Sequence, residues 1–392
     1  MMRTRTVFCT IFWILYFPIC IAFYEYVHGY VDEVMTLILI CFTLIQFGGL
    51  KIKRIYVKEM QCCISVFAFY LVYSLLRQEN VIPAALTDFQ QQVKPYAVFY
   101  CTLFLNPQFS GVQKKIILGS ILLTLVLYIL MRGGKILSEE DVVLGSLSMS
   151  AGMLYYYFTK NTSWNLIVAI GIVLVGLLCG KFKYIGECVA FIGVICFMKR
   201  RIRKGGSKSI AFALVLVSAV LFFTWERFDA YYVKGMSNEE LARPMMYKAA
   251  PKVLLDYFPF GPGLGTFGTF SSAKTYYSPL YEKYGLSEIW GMSKNDHGAF
   301  NADSFYPSLA QFGFVGLFFF LAFWKKRFRG INYIRDLKSH KIALMAVICL
   351  AIENAADTSY LSGRGMVYFM LLAMCLNSRQ NTRFKYGNRN IV

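Results

Sequence analysis

Four groups of residues in this chain have the types and spacing to do chemistry. Arg243 stands one turn before Tyr247, so a helix over this stretch presents both on one face. A cation so placed binds a phosphate, or snorkels to headgroups from an amphipathic interfacial helix. Asp296, His297 and Asp303 cluster just before an apolar run. One of them could be a general base at a membrane surface, or Asp303-Ser304 could cap the helix that follows. Lys181 and Lys183 fall in a very short turn between two apolar runs, with Glu187 one to two turns further on. They are either a cationic arm aimed into a cavity or ordinary snorkelling lysines, with Lys183 pairing Glu187 at i, i+4. Glu187 is itself a functional candidate, because carboxylates are costly inside a membrane. Glu353, Asp357 and Arg364 border the last polar turn, where they line the same cavity or pair with each other.

Other chemistries find little footing. The three histidines, His28, His297 and His340, share no metal-ligand spacing. The 11 cysteines lie mostly inside apolar runs, without a CxxC, and read as small buried hydrophobes. No metal and no cofactor is therefore expected. Gly263-Leu264-Gly265-Thr266-Phe267-Gly268 matches GxGxxG, but no strand precedes it and no βαβ unit surrounds it. It reads instead as a turn that brings backbone close to a ligand or to another helix.

The elements that must position these groups are membrane helices. Of 392 residues, 57% are hydrophobic and only 16% charged, and the apolar runs are too long and too many for a soluble core. Twelve spans are expected, over residues 7–24, 34–50, 61–77, 89–105, 115–131, 142–159, 164–180, 184–199, 209–225, 304–324, 342–358 and 361–377. This predicts an all-α polytopic membrane protein. Residues 1–225 carry the first nine helices, residues 226–303 form one large loop, and residues 304–392 hold the last three helices and a tail. The net charge of +19 is topological rather than a sign of nucleic acid. Most of the 41 lysines and arginines fall in alternate inter-helix segments that hold only two carboxylates, Glu59 and Asp336. The positive-inside rule then puts both termini, the run from Lys199 to Lys204 and the run from Lys325 to Arg329 in the cytoplasm. The loop over 226–303 is left outside. It holds nine carboxylates, eight lysines or arginines and 15 aromatic residues, too aromatic and too low in net charge for disorder. Ser237-Asn238-Glu239-Glu240 fits a capping box for a helix running to about Tyr257 with a kink at Pro251.

Two stretches resemble the O-antigen polymerase/ligase family. One is Arg243-Pro244-Met245-Met246-Tyr247-Lys248-Ala249-Ala250, followed by Pro259-Phe260-Gly261-Pro262-Gly263-Leu264-Gly265-Thr266-Phe267. The other is Asp303-Ser304-Phe305-Tyr306-Pro307 leading into Phe312-Gly313-Phe314-Val315-Gly316. The resemblance implies a GT-C-like helical bundle in the bacterial cytoplasmic membrane, acting on polyprenyl-diphosphate-linked oligosaccharide at its outer face. It implies that Arg243 and Lys181 bind the diphosphate. Lys181 stands where the family has arginine, which keeps the charge and loses the bidentate fork. Asp303 or His297 would be the base. Tyr247, Tyr276 and Tyr277 would orient sugars, with an interfacial aromatic belt as the alternative. The lipid bilayer and a chain-length regulator protein are the other implied partners. The histidine of the ligases has no counterpart in Asn301-Ala302-Asp303, which favours a polymerase over a ligase. A transporter is the rival from another class.

Overall fold

The computed structural model describes residues 2–24, 30–50, 52–134, 141–199, 207–235, 241–296 and 299–387. Among these residues the protein is all-helical, without strands. The principal helices are α1 (Met2–Tyr16), α2 (Val31–Gln46), α3 (Arg54–Arg77), α4 (Ile82–Leu105), α5 (Gly111–Arg132), α6 (Val142–Phe158) and α7 (Ser163–Val175). They continue with α8 (Phe182–Ile192), α9 (Ser207–Phe228), α10 (Ala242–Asp256), α11 (Gly313–Asn332), α12 (Leu337–Ala356) and α13 (Gly363–Gly387). His28, His297, the Ser237–Glu240 capping box and the basic run from Arg200 to Lys204 lie outside the described residues.

Among the described residues seven helical stretches are long and apolar enough to cross a membrane: Thr4–Ala22, Val31–Gly49, Arg54–Arg77, Gly111–Arg132, Ala211–Val233, Phe305–Asn332 and Leu337–Ala356. Val142–Phe158, Ser163–Cys179 and Gly363–Asn377 are apolar but shorter. On length and composition seven of the described helices are candidate spans, against the twelve expected. α4 and α8 are helices where spans were expected, but Asp88, Gln92 and Lys94 lie within α4, and α8 is 11 residues long. α9 suits a hydrocarbon environment. Leu214, Val215, Phe222 and Phe223 are all exposed, with Phe222 77% accessible. A face of that size left in water costs about 25 cal/mol per Å².

The central core is made by α4, α6, α12 and α13, where Phe99, Leu147, Met345, Tyr368 and Phe369 are completely buried. A second cluster, around Met246, Val253, Phe267, Leu280, Tyr281 and Met292, is the core of the segment from α10 to residue 302. The glycine-rich stretch joins the two. Its backbone runs against α3 and the start of α4, where side chains satisfy its polar groups one by one. The Ser74 hydroxyl accepts from Leu264 N at 2.7 Å, and the Asp88 carboxyl from Gly265 N at 2.9 Å. Tyr73 donates to Gly261 O at 2.8 Å, and Asn80 to Gly265 O at 2.7 Å. The stretch therefore approaches other helices, and the glycines are what permit it. Gly265 has φ +70°, and a Cβ there would lie 2.6 Å from the Ala84 carbonyl. Gly265→Ala is accordingly expected to destabilise the protein by more than the roughly 1–2 kcal/mol that left-handed backbone alone costs. Thermal melting in detergent checks this, and an unchanged melting temperature would contradict the packing.

Candidate functional site

Several helix ends meet at one end of the bundle and enclose a cavity of about 570 Å³. Among the described residues six cationic side chains line it: Arg132, Lys181, Lys183, Arg227, Arg243 and Arg364. Three carboxylates face them, Asp141, Asp303 and Asp357. The surplus of positive charge suits a polyanion, and arginine forks suit phosphate oxygens.

Each charged group is seated by local structure. α12 ends because Asp357 is fully extended, leaving carbonyls of the last turn without helical partners. Tyr232 donates to Ala355 O at 2.6 Å and Tyr247 to the same oxygen at 3.0 Å. Arg243 Nη2 reaches Ala356 O at 3.3 Å. A cation is favoured at a helix C-terminus, so α10 docks with Arg243 at the cavity wall. The same Nη2 pairs with Asp303 Oδ2 at 2.5 Å, and the guanidinium lies over the Tyr231 ring, 4.6 Å from its centroid. Arg243 Nε is buried without an acceptor. Burial raises the Asp303 carboxyl above its usual range, against the opposing pull of Arg243.

A second cluster forms where the first turns of α8 and α13 face the end of α12. Lys183 Nζ meets Asp357 Oδ2 at 2.7 Å, and Arg364 Nη2 meets the same oxygen at 3.0 Å. Burial pushes Asp357 up, but the charges of Arg364 and Lys183 outweigh it and hold the carboxyl well below the usual range. Arg364 Nη1 is buried and has no acceptor. A third cluster is Asp141, which caps α6 by accepting from Val143 N and Leu144 N. It also accepts from Tyr128 at 2.7 Å and from Arg132 at 2.7 Å.

Of the residues expected from sequence, Arg243, Lys181 and Asp303 all line this one cavity. Tyr247 is not among the lining residues; its hydroxyl is engaged by α12. His297 lies outside the described residues. Tyr276 and Tyr277 do not line the cavity: Tyr277 packs in the loop core and donates to Met292 O at 2.7 Å, while Tyr276 offers its carbonyl to Asn80. Asp296 is exposed and bonded to Ser293, away from the site. Lys183 turns from Glu187 to Asp357, so the i, i+4 pairing is not made. Glu187 lies buried below, near Glu353, which accepts from Ser146 and Tyr368. Ser304 takes the N-cap position before Phe305 without a side-chain cap bond, and Asp303 is turned to Arg243. Sequence reading passed over Arg132, Asp141, Arg227 and Tyr231. The cations among them carried a usable signal, since Arg132 and Arg227 end apolar runs on the same side as Lys181.

No known protein family, curated protein or solved structure matches the chain.

Proposed function

We propose that the protein is a membrane glycosyltransferase that joins polyprenyl-diphosphate-linked oligosaccharide units into a surface polysaccharide. The observation that carries the reading is the cavity itself, which gathers six cations from distant parts of the chain and sets Asp303 among them. In this reading both termini are cytoplasmic and the cavity opens at the outer face of a bacterial cytoplasmic membrane. The distribution of charge along the helices supports this orientation. Lys325, Lys326, Arg329, Lys338 and Lys341 fall at the opposite ends of α11 and α12 from the cavity. ATP and nucleotide sugars are absent from the outer face, so the donor must arrive already activated, and a diphosphate leaving group supplies that activation.

Arg243, with Lys181, Lys183 and Arg364 nearby, neutralises charge that builds on the diphosphate as the sugar–phosphate bond breaks. The acceptor hydroxyl loses its proton to Asp303 and attacks the anomeric carbon, and the diphosphate leaves with the bonding pair. In the structure Arg243 is paired with Asp303. A diphosphate carries more charge than a carboxylate and competes for the guanidinium, which frees Asp303 to act as the base.

A transporter or flippase of the glycan units is the second reading, favoured by Glu187 and Glu353 buried among the helices below the cavity. Deleting the gene and resolving the surface glycan on a gel separates the readings. Polymerase loss leaves single repeat units at the surface. Stranded lipid-linked polymer would indicate a ligase, and units trapped inside a transporter. An unchanged ladder would remove glycan assembly altogether.

A further inference from the structure

Another cavity shares no lining residue with the first. It is a cleft of about 100 Å³ between α3 and α11, backed by α4. Its walls are aromatic along most of their length, with Phe67, Tyr96, Phe319, Phe320 and Phe323 the main contributors. At one end, near Phe305 and Phe312, it is closed by the residues that precede α11. At the other it reaches Glu59, Lys326 and Arg327. α11 has 20 residues, about 30 Å at 1.5 Å per residue. Lys326 and Arg327 lie toward its C-terminal end, the end away from the cavity described above.

Arg327 is only 2% exposed. Its Nη2 pairs with Glu59, and its guanidinium is held over Phe99 and Phe323, with centroids 4.9 and 5.0 Å away. Nε and Nη1 are buried and have no acceptor. An arginine presents five donors, and leaving two nitrogens unanswered in an apolar wall is costly. Glu59 offsets the charge of Arg327, so the surplus belongs to Lys326, which lines the cleft, and to its exposed neighbours Lys325 and Arg329. Arg54 and Lys58, exposed on α3, add to it. The apolar residues Ile55, Ile64, Phe318 and Leu321 on the flanks are exposed, so the cleft opens to hydrocarbon.

We infer that this cleft binds one anionic phospholipid of the leaflet facing away from the cavity. The phosphate lies at Lys326 and the orphan nitrogens of Arg327, and one acyl chain lies between Phe319, Phe323 and Phe67. A narrow, aromatic, membrane-facing groove accommodates a single flexible chain, and a basic end at headgroup depth selects its charge. The inference is independent of the glycosyltransferase reading.

The test uses the full-length protein purified from vesicles of phosphatidylcholine with and without phosphatidylglycerol, with bound lipid counted by native mass spectrometry. Wild type is expected to retain one phosphatidylglycerol through detergent and to melt at a higher temperature when it is present. Lys326→Gln should reduce retention at least fivefold. Ala322→Trp, which fills the cleft without touching a charge, should abolish retention of that lipid, and a monodisperse elution profile for each variant shows that it is folded. Equal retention of both lipids by wild type, retention unaffected in both variants, or a stoichiometric polypeptide in place of lipid would each overturn the inference.

Discussion

Arg243→Ala is expected to slow transfer from a polyprenyl-diphosphate-linked sugar by roughly 10²–10³-fold, the loss typical when one preorganised donor to developing negative charge is removed. The side chain carries this weight because of its position. It is only 13% exposed and lies at the C-terminal end of α12, where water competes weakly with a bound anion. Charge alone should not suffice. Arg243→Lys keeps the positive charge but loses the planar fork and its stacking over Tyr231, so it should fall between wild type and alanine. Purified enzyme, a synthetic lipid-linked repeat unit and separation of products by length give the rate directly. The decrease should appear chiefly in kcat, since the contact strengthens as the leaving group forms. Wild-type rates in the alanine variant would remove Arg243 from the chemistry and with it the central element of the proposed function.

Asp303→Asn should lower kcat by roughly 10²–10⁴-fold, the usual contribution of a general base, with a small change in KM. Asparagine is nearly isosteric and retains a carbonyl oxygen for Arg243, so the site should keep its shape. The dependence on pH gives a sharper test. Burial raises the Asp303 carboxyl above its ordinary range, while the Arg243 guanidinium draws it back down. A base works when ionised, so activity should be lost as pH falls through that value. Removing the guanidinium removes a lowering influence in direct contact with the carboxyl, although Lys183 lies near enough to act in the same direction. The acid limb of the residual activity in Arg243→Gln should therefore move to higher pH. Limbs that coincide in the two proteins would mean that another group supplies the base.

Much of the architecture was legible from composition and charge. Apolar runs of about 20 residues report membrane helices because the hydrocarbon sets their length. That signal weakened where polar residues interrupt a run. α4 was expected as a short span over 89–105, yet it begins at Ile82 and buries Asp88, Gln92 and Lys94; Gln92 donates to Asp88 within the helix, while Asp88 and Lys94 also find partners elsewhere in the chain. Lys94 alone is answered by Asp32 at 2.6 Å and Glu33 at 2.7 Å. A window of hydropathy counts each of these side chains as a cost and cannot register the partner that offsets it.

The amino-acid order by itself determined that the chain is helical and apolar, that residues 226–303 differ in character from the rest, and that Arg243 and Tyr247 share a helical face. Such properties follow from period and composition within one segment, so they are available without knowledge of neighbours. Tertiary structure alone decided which charges meet. Lys183 had Glu187 four residues away and took Asp357, 174 positions along the chain. The glycine-rich stretch, free by sequence to face a ligand, was claimed by Ser74 and Asp88 on two other helices. Tyr277 was drawn into the loop core, and Arg132 was brought to the cavity from the end of α5. A charged side chain reaches only a few ångströms, and the backbone positions within that reach are set by helix packing over the whole bundle.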